Sequence, residues 1–353
     1  MILNEMIGTD RKFIRTAAPQ MFFLDMNEQC NLKCWFCYNG KSHPIKHGDK
    51  KTLIQIIDVM NNVGCKEVIY LGGEPTIAPY FFDVITYANN LGMKQCVITN
   101  GQIIDNIFAD KLRMITDLEV GISIHSCHRE TQDKISGVQG SYQRLKCAIE
   151  ALEKVDVKWY SQTSLTKENY LELHELAAYL QTIGHPQRMD LSRMVCGTKI
   201  DDRFLTEKGY IEIFKQINNM NLSQIPVRIE AFPRCWLRMI SDKYGMSYSK
   251  ICSTVRPCYA WVGQISVNVY GDVRLCPTGG IVAGNLLQDD FSKIWSENEK
   301  IIKFKSFDWL PNQCSICNDF PYCAGACKMT NAMISPTPDK FIVNEEGYTN
   351  AVE

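Results

Sequence analysis

The amino-acid sequence predicts an α/β fold: a partial (βα)6 TIM-like barrel followed by a small cysteine-rich domain. Short apolar segments alternate with helical patterns six times in the first two-thirds of the chain. Several of these segments end in Gly, Asn or Ser, as the turns between strands and helices do. Six units are too few for a closed eight-unit barrel, so we expect an open one. The second domain is indicated by a dense group of cysteines near the C-terminus.

The strands are read from the apolar segments and the helices from a periodicity near 3.6 residues. In the first helix, Leu53, Ile56, Ile57 and Met60 fall on one face. Residues that directly follow each strand are the first candidates for a site, because sites in such barrels lie at the C-terminal ends of the strands. Strands are predicted at residues 21–26, 67–71, 95–99, 118–124, 157–161 and 189–195, and further helices at 80–91, 104–115, 141–155, 169–183 and 205–220.

The pattern changes after residue 225, where Pro226, Pro233 and Pro257 interrupt it. Alternating apolar residues then flank the turn Tyr270-Gly271-Asp272, which predicts a β-hairpin ending at Cys276. The chain is therefore divided into an N-terminal extension (1–20), the barrel (21–225), a linker (226–250), the cysteine-rich domain (251–335) and a C-terminal tail (336–353).

Composition and charge exclude several classes of protein. The 353 residues include 38 basic and 39 acidic side chains, so no excess of positive charge favours a nucleic acid or a membrane surface. No apolar segment reaches the roughly 18 residues of a membrane-spanning helix. The N-terminus also lacks the apolar segment of a signal peptide, and we expect a cytoplasmic protein.

Sixteen cysteines are unusual for a chain without a secretion signal. In the reducing cytosol, ligation of a metal or cluster is favoured over disulfides. Ten of the cysteines form tight groups: Cys30, Cys34, Cys37, Cys252, Cys258, Cys276, Cys314, Cys317, Cys323 and Cys327. The remaining six are scattered: Cys65, Cys96, Cys127, Cys147, Cys196 and Cys235.

Cys30, Cys34 and Cys37 have the spacing C-x3-C-x2-C and directly follow the first predicted strand. Three thiolates can ligate three irons of a [4Fe–4S] cluster and leave the fourth iron open. An open metal position suits substrate chemistry, whereas a structural site closes it. A structural zinc loop is the alternative interpretation.

This spacing, with the aromatic Phe36 before the third cysteine, resembles the radical S-adenosylmethionine (SAM) enzymes. The resemblance implies that SAM chelates the open iron and is cleaved reductively to a 5′-deoxyadenosyl radical, with the protein supplying placement. It also implies an electron donor such as flavodoxin or ferredoxin. Residues expected to contact SAM are Phe36, Gly72, Gly73 and Glu74 of a Gly-Gly-Glu-Pro turn, Thr99 of a Thr-Asn-Gly turn, and Ser123.

The sequence departs from the radical SAM pattern after the fourth strand. His125 stands where many relatives carry Asp, and residues 133–136 stand where Asp-x-x-Arg is common. The cation that would pair with the SAM carboxylate is therefore left open among Arg129, Lys134 and Arg144.

The C-terminal cysteines resemble the SPASM extension of radical SAM enzymes. They read Cys258-x12-Gly271-x4-Cys276 and then Cys314-x2-Cys317-x5-Cys323-x3-Cys327. A zinc ribbon is disfavoured because this region contains one C-x2-C pair rather than two. The resemblance implies two auxiliary iron–sulfur clusters: cluster I on Cys252, Cys258, Cys276 and Cys327, and cluster II on Cys314, Cys317 and Cys323.

Auxiliary cluster II lacks its usual fourth thiolate, because no cysteine follows Cys327. We expect three cysteines with either a non-thiolate ligand or an open iron. Candidate carboxylates are Asp319, Asp339, Glu345 and Glu346, and Cys235 could supply a thiolate from outside the motif. Cys127, Cys196 and Cys235 could instead bind a substrate or give a hydrogen atom to its radical.

The resemblance to SPASM enzymes favours a ribosomally synthesised peptide as the substrate, modified by crosslinking, epimerisation or excision, as in RiPP maturases. Pro277 follows Cys276 where anaerobic sulfatase-maturing enzymes carry an aspartate base, which counts against that activity. Alternatives are a small molecule, such as a porphyrin or sugar derivative, and an iron–sulfur electron carrier or sensor. Because the first strand begins near Met21, a separate leader-peptide recognition protein or the tail 328–353 is expected to help in binding.

Overall fold

The structure is a computed structural model that describes residues 18–39, 48–194, 203–260, 263–278, 281–328, 339 and 341–343. Its strands are β1 Met21–Asn27, β2 Glu67–Gly72, β3 Lys94–Thr99, β4 Leu118–Ser123, β5 Trp159–Ser164, β6 Met189–Ser192, β7 Val227–Glu230, β8 Val255–Arg256, β9 Gln264–Val267, β10 Asp272–Arg274 and β11 Val282–Asn285. Its helices are α1 Lys50–Asn62, α2 Phe81–Asn90, α3 Asn106–Arg113, α4 Arg129–Ser136, α5 Ser141–Lys154, α6 Leu173–Ile183, α7 Glu207–Asn219, α8 Arg234–Tyr244, α9 Tyr248–Thr254, α10 Phe291–Glu297, α11 Glu299–Ser306, α12 Asn312–Ile316 and α13 Phe320–Cys323, with a 3-10 turn at Pro75–Ile77.

Within the described residues, the strands form one sheet in the order β11-β10-β9-β1-β2-β3-β4-β5-β6-β7-β8. Neighbours from β1 to β8 are parallel, and β9 also pairs in parallel with β1. Strand β8 stands at the edge of the sheet, so the barrel is not closed. The predicted α/β class with a partial barrel is confirmed.

The six predicted strands and their helices are present, with two corrections. The fifth strand is Trp159–Ser164 rather than 157–161, because Asp156 has a φ of 56° and the chain is still turning there. The sixth strand ends at Ser192, and residue 195 lies outside the described residues. Residues 226–250, interpreted as a linker, contain β7 and α8, so the sheet continues through them.

Alternation along each strand separates a helix-facing side from the barrel interior. On β1, Phe22, Leu24 and Met26 are buried in the core under the helices. On β7, Val227 and Ile229 occupy that core, so the polar side chains between them face the interior.

The hairpin predicted to end at Cys276 is confirmed: β9 and β10 pair antiparallel, and Gly271 in their turn has a φ of 86°. Among the described helices, none is both long and apolar enough to cross a membrane.

Candidate functional site

The three cysteines of the C-x3-C-x2-C motif lie together on the loop after β1. Burial, together with the charges of the neighbouring thiols and of Glu74, raises the pKa of the Cys30 thiol to about 11 and that of the Cys34 thiol to about 12. Such charges act at short range, so Cys30, Cys34, Cys37 and Glu74 share one site at the C-terminal mouth of the barrel. Protonated thiols of this kind become thiolates when a metal binds, and the donor set fits an iron–sulfur cluster with one iron left open.

The Gly-Gly-Glu-Pro turn packs directly on the backbone of this loop. A Cβ atom on Gly72 would lie 2.4 Å from the Asn27 carbonyl oxygen, and one on Gly73 would lie 1.9 Å from that of Gln29. The Gly73 and Glu74 amides donate to these same two carbonyl oxygens, at 2.7 and 2.6 Å. The two glycines are therefore needed for docking of the cysteine loop, whatever contact their backbone makes with SAM.

The Glu74 carboxylate accepts hydrogen bonds from neighbouring residues of the protein. It accepts the hydroxyls of Thr76 and Thr99, both at 2.5 Å, and the Asn100 amide at 2.8 Å. Its side chain is 2% exposed, and burial raises its pKa against these hydrogen bonds. Glu74 thus joins the ends of β2 and β3, and because the Thr99 hydroxyl is also used, a contact of Thr99 with SAM would come from its backbone.

Asn100 extends this network to the first cysteine. Its side-chain amide donates to Asn31 Oδ1 at 2.7 Å and lies 3.7 Å from Cys30 Sγ. An amide that donates to a ligating sulfur stabilises its thiolate form. The sequence analysis placed Asn100 in the turn after β3 but did not identify this contact.

Helix α4, which the sequence analysis missed, supports the other side of the loop. The Lys33 amide donates to the Ser136 carbonyl oxygen at 2.9 Å. Gly137 ends the helix with a φ of 67°, and a Cβ there would lie 2.7 Å from the Lys33 carbonyl oxygen. The Ser136-Gly137 pair is a helix stop, and it was the sequence signal available for this element.

Phe36 reaches the end of β4. Its ring lies edge-on to His125 with 5.2 Å between the ring centres. Burial lowers the pKa of His125 to about 4, so the imidazole is neutral near pH 7, and its Nδ1 accepts the Ser164 amide at 3.2 Å. His125 therefore positions Phe36 without contributing a charge.

The other predicted SAM contacts occupy different positions around the mouth. Ser123 ends β4, half-buried, opposite Gln162 of β5. Among the candidate cations, Arg144 donates to Gln102 Oε1 at 2.8 Å, next to the Thr-Asn-Gly turn. Lys134 pairs with Glu168 at 3.3 Å and Arg129 with Asp133 at 3.9 Å, and both are largely exposed. The assignment of SAM contacts remains a prediction.

Below the mouth, the barrel interior is charged, which the sequence analysis did not identify. Arg188 donates to both carboxylate oxygens of Glu119, at 2.8 and 2.9 Å, and to Asp190 at 3.1 Å. Its guanidinium lies 3.7 Å from the ring centre of Tyr160. These contacts fix the arginine and leave it little capacity for another anion.

Glu230 stands at the C-terminal end of β7 in the same interior. Its side chain is exposed, whereas Val227 and Ile229 of that strand are buried. Desolvation, and then the nearby Asp190 charge, raise the pKa of Glu230 to about 7 against the lowering effect of Arg193. A carboxyl group with this pKa can exchange a proton near neutral pH. Its sequence signal was an acidic residue closing an alternating strand.

The four cysteines assigned to auxiliary cluster I come from separate elements beside the core. Cys252 on α9 is buried, and Cys258, Cys276 and Cys327 are partly buried against the same core. The Lys328 ammonium donates to the Cys258 carbonyl oxygen at 3.0 Å. This contact brings the segment after α13 to the segment after β8.

The cysteines assigned to auxiliary cluster II line one cavity. It is lined by Pro233, Arg234, Cys235, Cys314, Cys317, Asp319, Phe320, Cys323, Gly325 and Ile342. Glu345 and Glu346, two of the candidate fourth ligands, lie outside the described residues.

The spacing of the grouped cysteines disfavours a single zinc ion. Tetrahedral zinc with bonds of about 2.3 Å needs its sulfurs roughly 4 Å apart. In the described part of the chain, the one group of three metal-ligating side chains whose atoms lie within 4.8 Å of one another is Cys127, His128 and Glu172. Wider spacing is what a multi-iron cluster requires.

Of the cysteines suggested for substrate chemistry, Cys127 lies half-buried after β4, near Glu172 and Glu175. Burial, and then these two carboxylates, raise the pKa of its thiol to about 11, so it is a thiol near pH 7. Cys196 lies outside the described residues, and Cys235 lies at the cavity of auxiliary cluster II.

Comparisons with known proteins agree with this geometry. Residues 25–180 match the Radical SAM superfamily, and residues 258–318 match SPASM, an iron–sulfur cluster-binding domain. An AdoMet-dependent heme synthase of Methanosarcina barkeri is 24% identical over 319 residues, which are 88% of this chain and 91% of that protein. Mycofactocin maturase MftC of Mycolicibacterium smegmatis is 25% identical over 337 residues, 88% of this chain and 78% of that protein.

A solved structure shares the fold. Streptococcus suis SuiB bound to its precursor peptide SuiA superimposes with a TM-score of 0.74 at 17% identity, covering 93% of this chain and 76% of that one.

When bound, the first cluster supplies the electron that cleaves SAM. Residues 25–180 are thus a radical SAM domain and residues 258–318 a SPASM iron–sulfur cluster-binding domain, and the protein is a radical SAM iron–sulfur enzyme.

Proposed function

We propose that this enzyme modifies a ribosomally synthesised peptide, by crosslinking, epimerisation or excision. Two relatives support the proposal: one is named a mycofactocin maturase, and SuiB was solved with its precursor peptide. Pro277 after Cys276 supports it against a sulfatase-maturing activity, because proline cannot act as a base.

The observation that carries the proposal is the charge balance inside the barrel. Among the described inward-facing residues, Arg188 pairs with Glu119 and Asp190, and the charges of Arg256 and Arg228 act on Asp190 against the effect of its burial. Beside them, Gln162 donates to the Ser192 hydroxyl at 2.5 Å. A balanced interior lined with amide and hydroxyl groups suits the neutral amides of a peptide, which bind by hydrogen bonds.

A porphyrin is the second candidate, because the AdoMet-dependent heme synthase aligns with most of this chain. Porphyrin carboxylates would need cations that are not already paired, since electrostatic complementarity determines which ligands are accepted. Arg188 is committed to Glu119 and Asp190, and Arg274 on β10 pairs with Asp25. These two arginines are therefore not available to bind a polyanion.

Glu230 is the proposed proton acceptor of the reaction. When SAM and the clusters are bound, SAM cleavage would supply the radical that removes a hydrogen atom from a substrate carbon, and an auxiliary cluster would accept the further electron of an oxidised product. Glu230 would accept the proton that the substrate loses in that oxidation. Pro277, which follows Cys276, cannot act as this base.

The test is to incubate the reconstituted enzyme with SAM, a reductant such as flavodoxin or ferredoxin, and short peptides encoded beside its gene. A separate leader-peptide recognition protein from the same locus is added in a parallel reaction. We expect 5′-deoxyadenosine to form faster with the correct peptide. A crosslink lowers the peptide mass by two hydrogen atoms, excision removes a fragment, and epimerisation leaves the mass unchanged and is detected by chiral analysis of the hydrolysed peptide. An unmodified peptide together with turnover of a porphyrin would contradict the proposal.

A further inference from the structure

The cavity of auxiliary cluster II contains a fourth cysteine from a distant part of the chain. Cys314, Cys317 and Cys323 come from one short segment, and Cys235 joins them from the first turn of α8. Cys235, Cys314, Cys317 and Cys323 therefore line one common cavity.

Helix α8 is fixed in the orientation that presents Cys235 to the cavity. Trp236, the next residue, is fully buried and stacks on Phe232 with 5.3 Å between the ring centres. Its indole nitrogen donates to Glu207 at 2.6 Å, and its ring lies 4.8 Å from Phe341. With Trp236 in the core, the neighbouring side chain on the helix points to a different side.

Ion pairs join α8 to the cysteine segment itself. Asp319 lies between Cys317 and Cys323 in sequence, and it pairs with Arg238 at 2.8 Å and with Arg234 at 3.7 Å. Both arginines belong to the turns of α8 that flank Cys235. The carboxylate that the sequence suggested as a substitute ligand is therefore used to dock α8 on the cysteine segment.

The other described carboxylate near this region is also committed. Asp339 is fully buried, pairs with Arg193 at 2.7 Å, and accepts the Cys327 amide at 3.0 Å. We propose that Cys235 is the fourth ligand of auxiliary cluster II, which is then held by four thiolates. This replaces the expectation of a non-thiolate ligand or an open iron.

A closed cluster has a different role from an open one. With four thiolates, no iron is available to coordinate a substrate, and the cluster is suited to electron transfer. The inference does not depend on the identity of the substrate.

The test compares Cys235→Ala with Cys314→Ala and with Cys147→Ala, a control at an exposed cysteine on α5. After anaerobic reconstitution, iron and sulfide per chain are measured. The wild type and Cys147→Ala should hold about 12 irons, for three clusters of four, and Cys235→Ala and Cys314→Ala about 8 to 11, for loss of a whole cluster or one iron. Full iron in Cys235→Ala with a deficit in Cys314→Ala would overturn the proposal.

A second measurement covers the case in which Cys235→Ala does not fold. The wild-type enzyme is alkylated with and without its clusters, and the modified cysteines are identified by mass spectrometry. Ligation predicts that Cys235 is protected when the clusters are present and reacts after they are removed, whereas Cys147 reacts in both states. Equal alkylation of Cys235 in the two states would overturn the proposal.

Discussion

The cysteine loop at the barrel mouth and the cysteine segment near the C-terminus are held by different kinds of contact. At the mouth, the proposed ligands Cys30, Cys34 and Cys37 lie in one continuous loop. Hydrogen bonds with the ends of β2 and α4 fix its backbone, and Asn100 after β3 binds the Asn31 side chain. Near the C-terminus, three ligands are continuous, and the fourth is brought by a helix that ion pairs dock from outside.

The difference between the two sites matches the function expected of each. A cluster that binds SAM must keep one iron free, so the surrounding protein shapes the loop without adding a thiolate. A cluster that only passes electrons is better protected when every iron has a protein ligand. The following predictions test this difference between the two sites.

The largest effect is expected for Cys34→Ala at the mouth. Removing one of three thiolates should release the first cluster and abolish 5′-deoxyadenosine formation, because no other described cysteine lines this loop. Iron should fall to about 8 per chain, with both auxiliary clusters retained. The measurements are iron analysis and chromatography of SAM products. Normal SAM cleavage in this variant would refute the assignment of the mouth loop.

Glu230→Gln should leave all clusters in place and slow product formation by about 100-fold, the lower range for loss of a general base. The pKa of Glu230 is raised from the ordinary carboxyl value to about 7, so the carboxylate predominates only above that pH. Wild-type product formation should therefore fall as the pH drops through 7, and the variant should lack this dependence.

The control for this pH dependence is 5′-deoxyadenosine itself, because SAM cleavage precedes the proton transfer. It should continue in Glu230→Gln without an equal amount of product. A variant with the same pH profile as the wild type would show that another group accepts the proton.

Glu74→Gln should weaken the mouth loop while leaving the C-terminal site intact. Both carboxylate oxygens of Glu74 accept hydrogen bonds. Glutamine replaces one of these oxygens with an amide nitrogen, which cannot accept a hydrogen bond. One buried donor left without an acceptor costs about 2 kcal/mol. Faster loss of the first cluster to an iron chelator is expected, with Glu175→Gln at an exposed position as the control. Equal rates in the two variants would contradict the role given to Glu74.

The smallest effect is expected for Asp319→Asn, which weakens the docking of α8. The Arg238 side chain is about half exposed, so its ion pair contributes no more than about 1 kcal/mol. Auxiliary cluster II should be lost somewhat faster in chelator, with a greater difference at low salt than at high salt. If Asp319 were itself a ligand, the variant would lose iron before any chelator is added.

The sequence predicted the features that depend on local pattern. The six strands, the hairpin before Cys276 and the face of α1 are set by residues close to one another in the chain. The grouping of Cys30, Cys34 and Cys37 with Glu74 follows from two turns at the same end of a parallel sheet.

Features that depend on packing between distant segments could not be predicted from local sequence patterns. Thr99 and Gly73 were assigned to SAM, but the structure also shows them binding Glu74 and the cysteine loop. The raised pKa of Glu230 arises from desolvation inside the barrel and from the charge of Asp190 on another strand. The position of Cys235 depends on how Trp236 packs against aromatic residues that include Phe341, over 100 positions away in the sequence.

The most direct test of the difference between the two sites is an anaerobic crystal structure of the reconstituted enzyme. We predict a cluster at the mouth held by Cys30, Cys34 and Cys37 with one iron free of protein sulfur. Auxiliary cluster II should have four cysteine sulfurs, including that of Cys235. An auxiliary cluster II whose fourth iron lacks the Cys235 sulfur, or a fourth protein thiolate on the cluster at the mouth, would contradict the account.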